Sequence, residues 1–266
     1  MFRYFGKSRG VFAAGLVLTA ALAVTMGVRR AQGPVWIAVI TVLLALALGT
    51  ALSVLVANLI ATGCEQSIQE TLHMDLDPEG FIQAYAPAAA RMKPGSAARC
   101  AAAANLAEAH CAAGRWQQAL STLEEPGPGL PPARTAALRA LVLRCRCRYL
   151  LWGQQPAEAR RVLDELKALL QEQTAENPGL AVNLRPQVRL YGVWAAILEG
   201  HPADAAGLEE QMRRLPTKLD KLDTCWMLRL NSRLTGDTEA EQRFTALLAS
   251  EGGQLACARE ARGETV

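Results

Sequence analysis

Two long uncharged stretches open the chain, and nearly everything after them has the periodicity of amphipathic helices. Residues 11–28 carry no charge, and neither do residues 35–62, whose polar members are Asn58, Ser53 and three threonines. A helix needs about 20 mostly apolar residues to cross a bilayer. Both stretches are therefore read as transmembrane spans, the second with length to spare for tilt. Arg29-Arg30-Ala31-Gln32-Gly33-Pro34 holds a basic pair and a Gly-Pro breaker, which predicts a tight turn and a helical hairpin. A cleaved signal peptide starting with Arg3, Lys7 and Arg9 is the competing reading of the first stretch. A second apolar stretch follows at once, which argues against it.

Small residues recur at every fourth position: Gly15, Thr19, Ala23 and Gly27, then Ala45, Gly49, Ser53, Ala57 and Ala61. That spacing lines each set along one helix face, where backbones approach closely. The two stripes are expected to meet, although alanine-rich helices also make such stripes by chance. Neither span contains Asp, Glu, Lys, Arg or His, the groups that transport or proton pathways use. The hairpin reads as an anchor.

From residue 77 onward the pattern is helical, without the alternation of strands. Asp77-Pro78-Glu79 has the order N-cap, first-turn proline, first-turn acid. It predicts a short helix over 81–92, broken at Pro87, and Ser96 predicts the cap of the next helix. A longer motif then repeats: a helix, a glycine turn, and a second helix opening near an alanine. The turns hold Gly114, Gly153, Gly200 and Gly236; Ala119, Ala159, Ala206 and Ala240 follow them. Each such αα-hairpin buries its apolar face only against a neighbour, which is the logic of a solenoid.

Asn105-Leu106-Ala107-Glu108-Ala109-His110-Cys111-Ala112-Ala113-Gly114-Arg115-Trp116-Gln117-Gln118-Ala119-Leu120 resembles a unit of the tetratricopeptide repeat (TPR) family. Ala107 sits twelve residues before Ala119, and Cys147 stands in the same relation to Ala159. The family period is 34 residues, whereas these turn glycines lie 39, 47 and 36 apart, so the repeats are degenerate. The resemblance covers about 96–250. It implies a protein-binding groove lined by the first helix of each hairpin, and it is silent on the ligand. A non-repeat helical bundle is the alternative.

The expected fold class is thus all-α: an N-terminal two-helix transmembrane hairpin, then an α-solenoid of about four TPR-like helix-turn-helix units. The expected domains are an anchor over 1–62, a juxtamembrane stalk with a short helix over 63–95, the repeat domain over 96–250 and a flexible tail over 251–266. Glu125-Pro126-Gly127-Pro128-Gly129-Leu130-Pro131-Pro132 and Asn177-Pro178-Gly179 are the expected linkers between units.

Charge refines this division. The chain has 28 basic and 25 acidic residues, but residues 1–62 hold five basic residues and no acid, so the remainder is net acidic. Arg3, Lys7 and Arg9 against Arg29 and Arg30 favour cytoplasmic termini by one charge. Against this, Glu65, Glu70, Asp75, Asp77 and Glu79 follow the second span without a base among them, and an anionic inner leaflet repels such a run. Ala61-Thr62-Gly63-Cys64 loosely resembles a bacterial lipobox, with alanine where leucine is expected. The net-acidic second part, poor in aromatics, argues against nucleic acid as a partner.

Candidate chemistry is sparse. Seven cysteines include no CxxC, and His73, His110 and His201 form no cluster with them, so the thiols are read as small buried groups in a reducing compartment. No phosphate loop or catalytic motif occurs; no catalysis, metal or cofactor is expected. Residues 134–161 hold seven arginines and one acid, Glu158. Arg139, Arg144, Arg148 and Tyr149 are the candidate binding residues, Arg144 and Arg148 sharing a helix face. An acidic peptide or lipid headgroups would suit such a face; a solvated surface paired with Asp164, Glu165 and Glu172 is the plainer reading.

The functional expectation is a membrane-anchored helical-repeat adaptor in a bacterial cell membrane, its repeats facing the cytoplasm and holding a protein partner. A self-associating structural subunit and an exported envelope-assembly domain are the alternatives.

Overall fold

The computed structural model describes residues 6–30, 33–124 and 132–265, and among them all regular structure is helical. Arg3, the turn residues Ala31 and Gln32, and the linker from Glu125 to Pro131 lie outside the described residues. The chain divides into two compact units, Met1–Gln69 and Glu70–Val266.

The first unit is built from α1 (Gly6–Arg30) and the first part of α2 (Val35–His73). Both helices are long and apolar enough to cross a membrane. Their small residues meet in antiparallel register. A Cβ on Gly15 would run into the Ser53 side chain, one on Gly49 into Thr19, and one on Gly27 would lie 3.1 Å from Val42. Ala23 and Ala57 are buried on the same faces. Polar groups on these helices turn inward on their own backbone: the Ser53 hydroxyl donates to the Gly49 carbonyl at 2.8 Å and that of Thr41 to Ile37 at 2.8 Å. The large side chains Val17, Leu18, Leu22, Leu43, Leu48 and Leu59 point outward and are exposed.

Two expected boundaries move. The first helix continues through Arg30, and the second does not stop at residue 62 but runs to His73. Nothing in 63–73 breaks a helix, and Leu72 is fully buried in the second unit. The expected stalk is therefore a helix continuation followed by α3 (Pro78–Ala90), whose Phe81 and Tyr85 are buried core residues. The Asp77 carboxylate accepts from the Gly80 N–H at 2.9 Å, as its sequence predicts. Pro87 does not end this helix; the burial of Tyr85, Ala88 and Ala89 on either side holds the turn together.

The second unit continues with α4 (Ala97–Ala112), α5 (Trp116–Glu124), α6 (Pro132–Trp152), α7 (Pro156–Glu176), α8 (Pro178–Leu198), α9 (Ala205–Arg214), α10 (Lys218–Thr235), α11 (Thr238–Glu251) and α12 (Ala256–Ala261). Helices α4, α6, α8 and α10 touch in succession, and α5, α7 and α11 pair with α4, α6 and α10. This is a helical solenoid. The first two hairpins close on the pairs the sequence singled out: Ala107 and Ala119 are fully buried, and the Cys147 thiol donates to the Ala159 carbonyl at 3.6 Å. The third is irregular. Ala206 is exposed, and α9 packs on α10 rather than on α8.

Gly114, Gly200 and Gly236 adopt positive φ (90°, 88° and 74°), but at the second turn it is Gln154 that does so, at 53°. Gly153 is needed for another reason: the Trp116 indole lies where its Cβ would be, 2.5 Å away. The end of the chain is not a loose tail. Leu255, Cys257 and Ala258 are buried, the Gln254 N–H donates to the Leu76 carbonyl at 3.0 Å, and Arg259 donates to Ala113 at 3.1 Å. The last helix thus docks on the start of the second unit.

Candidate functional site

The inner helices of the solenoid enclose a cavity of about 580 Å³. Its walls come from α4 (Asn105, Glu108), α6 (Arg144, Arg148), α8 (Gln187, Tyr191, Trp194) and α10 (Asp220, Asp223), with His73 at the end of α2. These are positions three and four apart on successive helices, which is why each helix presents a short row to the same space.

Arg148 is its charged centre. Its guanidinium forms ion pairs with Glu108 on one side and Asp223 on the other. Its side chain is 14% exposed and those of its partners 19% and 11%. Burial weakens Arg148's hold on its proton, but Asp223 and Glu108 outweigh that and hold it above the usual arginine range. Asp223 moves upward too: burial pushes its carboxyl to about 7, more than Arg148 pulls it down. His73 Nε2 lies 3.8 Å from Glu108. A cross-helix triad of this kind is costly to desolvate and strongly destabilising to break.

Arg144, one turn before Arg148, is differently placed. Its only hydrogen bond is to the Gln187 side-chain carbonyl at 3.5 Å, and no carboxylate pairs with it among the described residues. Tyr191 and Trp194 follow on α8. Burial pushes the Tyr191 hydroxyl well above its ordinary pKa despite Arg148 and Arg144 nearby, and the buried Trp194 Nε1 has no hydrogen-bond partner among the described residues. Trp194 stands edge-on to Trp152 at 5.4 Å, and Trp152 stacks on Trp226 at 5.5 Å, so this end of the cavity has a rigid aromatic backing.

Of the four candidate binding residues, the fold brings Arg144 and Arg148 together in this cavity and leaves the other two out. Arg139 is exposed and does not line it. Tyr149 is a core residue at 1% exposure, packed with Cys111 and Cys145, its hydroxyl donating to the Ala104 carbonyl at 3.3 Å. It sits next to Arg148 in sequence but about 100° around the helix, turned into the core. Among the described residues none of Asp164, Glu165 and Glu172 forms an ion pair with these arginines: Asp164 pairs with Lys167, Arg160 with Glu199 at 2.7 Å, and Arg148 with Glu108 and Asp223. Arg134's side chain lies outside those described.

Glu108, Tyr191, Trp194, Asp220 and Asp223 were missed by sequence reasoning. One signal was there. Asp223 falls on the apolar face of α10 among Leu219, Leu222 and Trp226, and an acid on a buried stripe asks for a partner.

No group of His, Cys, Asp and Glu fit to hold a metal occurs among the described residues. All seven cysteines are free, and only Cys64 is not buried. Burial pushes the Cys147 and Cys225 thiols up to about 12, out of the range in which they act as nucleophiles.

No protein-family model matches this chain, nor does any curated protein or solved structure.

Proposed function

We propose that the protein is a membrane-anchored helical-repeat adaptor that holds a segment of a protein partner in the concave cavity of its second unit. The observation that carries this reading is that cavity, walled by the inner helix of each successive hairpin and furnished with charged and aromatic groups. The anchor rests on a second contrast. Exposed large apolar side chains crowd α1 and the first part of α2, whereas Met74, Val182 and Leu234 are the exposed ones in the described second unit. Such a surface suits lipid, and tethering raises the effective concentration of a bound partner. The self-association reading is weakened because the small-residue stripes are occupied within the chain. One extra basic residue flanking the termini, relative to the turn, favours cytoplasmic termini.

A photo-crosslinking residue in place of Gln187, in the full chain in its native membrane, tests the adaptor role. The expected result is one discrete cross-linked polypeptide that is absent when the probe replaces the exposed Arg146 and lost on Arg144→Gln. Cross-linking of equal yield from both positions overturns it. Orientation is read from Ser121→Cys, exposed on α5. Protection from an impermeant thiol reagent until lysis supports cytoplasmic repeats; labelling of intact cells moves the exported reading to first place.

A further inference from the structure

Three hydrogen-bond donors in the cavity lack an acceptor that matches them. Arg144 carries five N–H groups and engages one amide oxygen at 3.5 Å. The Tyr191 hydroxyl, which also lines the cavity, makes no hydrogen bond among the described residues. Trp194, three residues further on α8 and 1% exposed, buries its Nε1–H without a partner among the described residues. A buried donor is nearly always satisfied; the orphaned Trp194 N–H, with the Arg144 guanidinium and the Tyr191 hydroxyl lining the same cavity from two facing helices, marks where an oxygen-bearing group belongs. A planar guanidinium beside a phenol and an indole N–H matches a carboxylate. A doubly charged phosphate is disfavoured, because Glu108, Asp220 and Asp223 share the cavity and repel a second negative charge.

The opposite wall has the reverse imbalance. Arg148 divides its charge between Glu108 and Asp223. Asp220 accepts from the Thr217 hydroxyl at 2.6 Å and forms no ion pair among the described residues, feeling Arg148 only at longer range. Asp220 thus leaves negative charge on this wall for a cation to balance. The cavity of about 580 Å³ is of the size that encloses a small organic ligand, enough for a few peptide residues.

We infer that this cavity binds a short zwitterionic peptide, its carboxylate received by Arg144, Tyr191 and Trp194 and its ammonium facing Asp220. The inference goes beyond the adaptor reading, because it rests on the cavity alone and holds whether or not a protein partner is also captured.

The test is calorimetric titration of the full chain in lipid nanodiscs with tri-alanine, its N-acetylated form and its C-terminal amide. Tri-alanine is expected to bind saturably at one site. The amide, lacking the carboxylate, is expected to bind about tenfold more weakly, and the acetylated form several-fold more weakly. Arg144→Gln should abolish tri-alanine binding with the helical circular dichroism unchanged, and Tyr191→Phe, which removes only a hydroxyl, should weaken it. Asp220→Asn should lower affinity for tri-alanine to that of the acetylated form and leave the acetylated form's own affinity alone. Absence of saturable tri-alanine binding, equal affinity for all three forms, or full binding in both the Arg144→Gln and Tyr191→Phe chains overturns the inference. A partner cross-linked at Gln187 without tri-alanine binding would sink this inference and leave the adaptor reading standing.

Discussion

Both units pair antiparallel helices, yet they distribute residue size in opposite ways. In the first, Gly15, Thr19, Gly49 and Ser53 form the seam and the leucines and valines face outward. In the second, Phe81, Tyr149, Leu163, Trp194 and Met227 are buried and few large apolar groups remain outside. The difference follows from solvent. Water drives large apolar side chains together, whereas hydrocarbon rewards no such burial and leaves close backbone approach as the available gain. Even within the second unit the first-unit solution reappears locally: Ala107 against Ala119 and Cys147 against Ala159 let paired helices approach closely.

The sharpest way to break the second unit is through its charged centre. Arg148→Met leaves Glu108 and Asp223 buried without a cation, and should cost about 3–5 kcal/mol, read as a fall in the unfolding midpoint of the full chain in detergent. Adding Glu108→Gln and Asp223→Asn to Arg148→Met should recover most of that loss. An equal cost from the triple variant would mean that Arg148 matters by packing and not by charge.

Next comes the contrast in side-chain size. Leu163→Ala, at a fully buried site, should cost about 2–5 kcal/mol. Leu43→Ala, on the outward face of α2 at 61% exposure, should leave thermal stability within about 0.5 kcal/mol. Conversely, Gly49→Leu must displace Thr19 and should separate α1 from α2 while sparing the second unit. Distance measurements between spin labels on the two helices check this. An unchanged α1–α2 distance would show that the seam tolerates bulk and that its small residues are incidental.

A smaller effect is expected from pH. Asp223's carboxyl is raised to about 7 in the fold, against about 3.9 in an unfolded chain. The folded state therefore holds the proton more tightly. That contribution to stability is full below pH ~4 and is lost as pH rises through about 7. Between pH 5 and 8 the unfolding midpoint should fall in the parent chain, and Asp223→Asn should flatten the slope. An identical slope in the two proteins would assign the dependence to other groups.

Thiol chemistry should separate the regions without touching stability. Cys64 should react with a maleimide far faster than the six buried cysteines, and guanidinium should abolish the difference. Fast labelling of Cys257 in the folded chain would mean that α12 opens readily.

Helix type and the hairpin order were legible in the sequence because they depend on near neighbours. Caps at Asp77, Ser96 and Asn177 act over three residues, and apolar periodicity writes each buried stripe directly into the chain. The uncharged stretches gave the first unit its character, and four-residue spacing foretold its seam. The end of α2 is not legible in the same way, because loss of hydrophobicity and loss of helix are independent. Nor is the last helix, whose polar composition hides Leu255 and Cys257; these are buried only where the second unit provides a surface for them.

The candidate site was half legible. Composition singled out the arginines, and helical spacing put Arg144 and Arg148 on one face. What they meet was decided by tertiary structure alone. Glu108 lies 40 residues from Arg148, and Asp223 is farther still along the chain. No local rule links such positions; they meet because irregular hairpins stack so that α4, α6, α8 and α10 turn one face to a common cavity. By itself the sequence determined where the chain is apolar, where it is helical and which small residues permit close packing, since those properties reside in single residues and their near neighbours. Tertiary structure alone decided which charges are paired and which donors are left unpaired, because that depends on positions brought together over long stretches of chain.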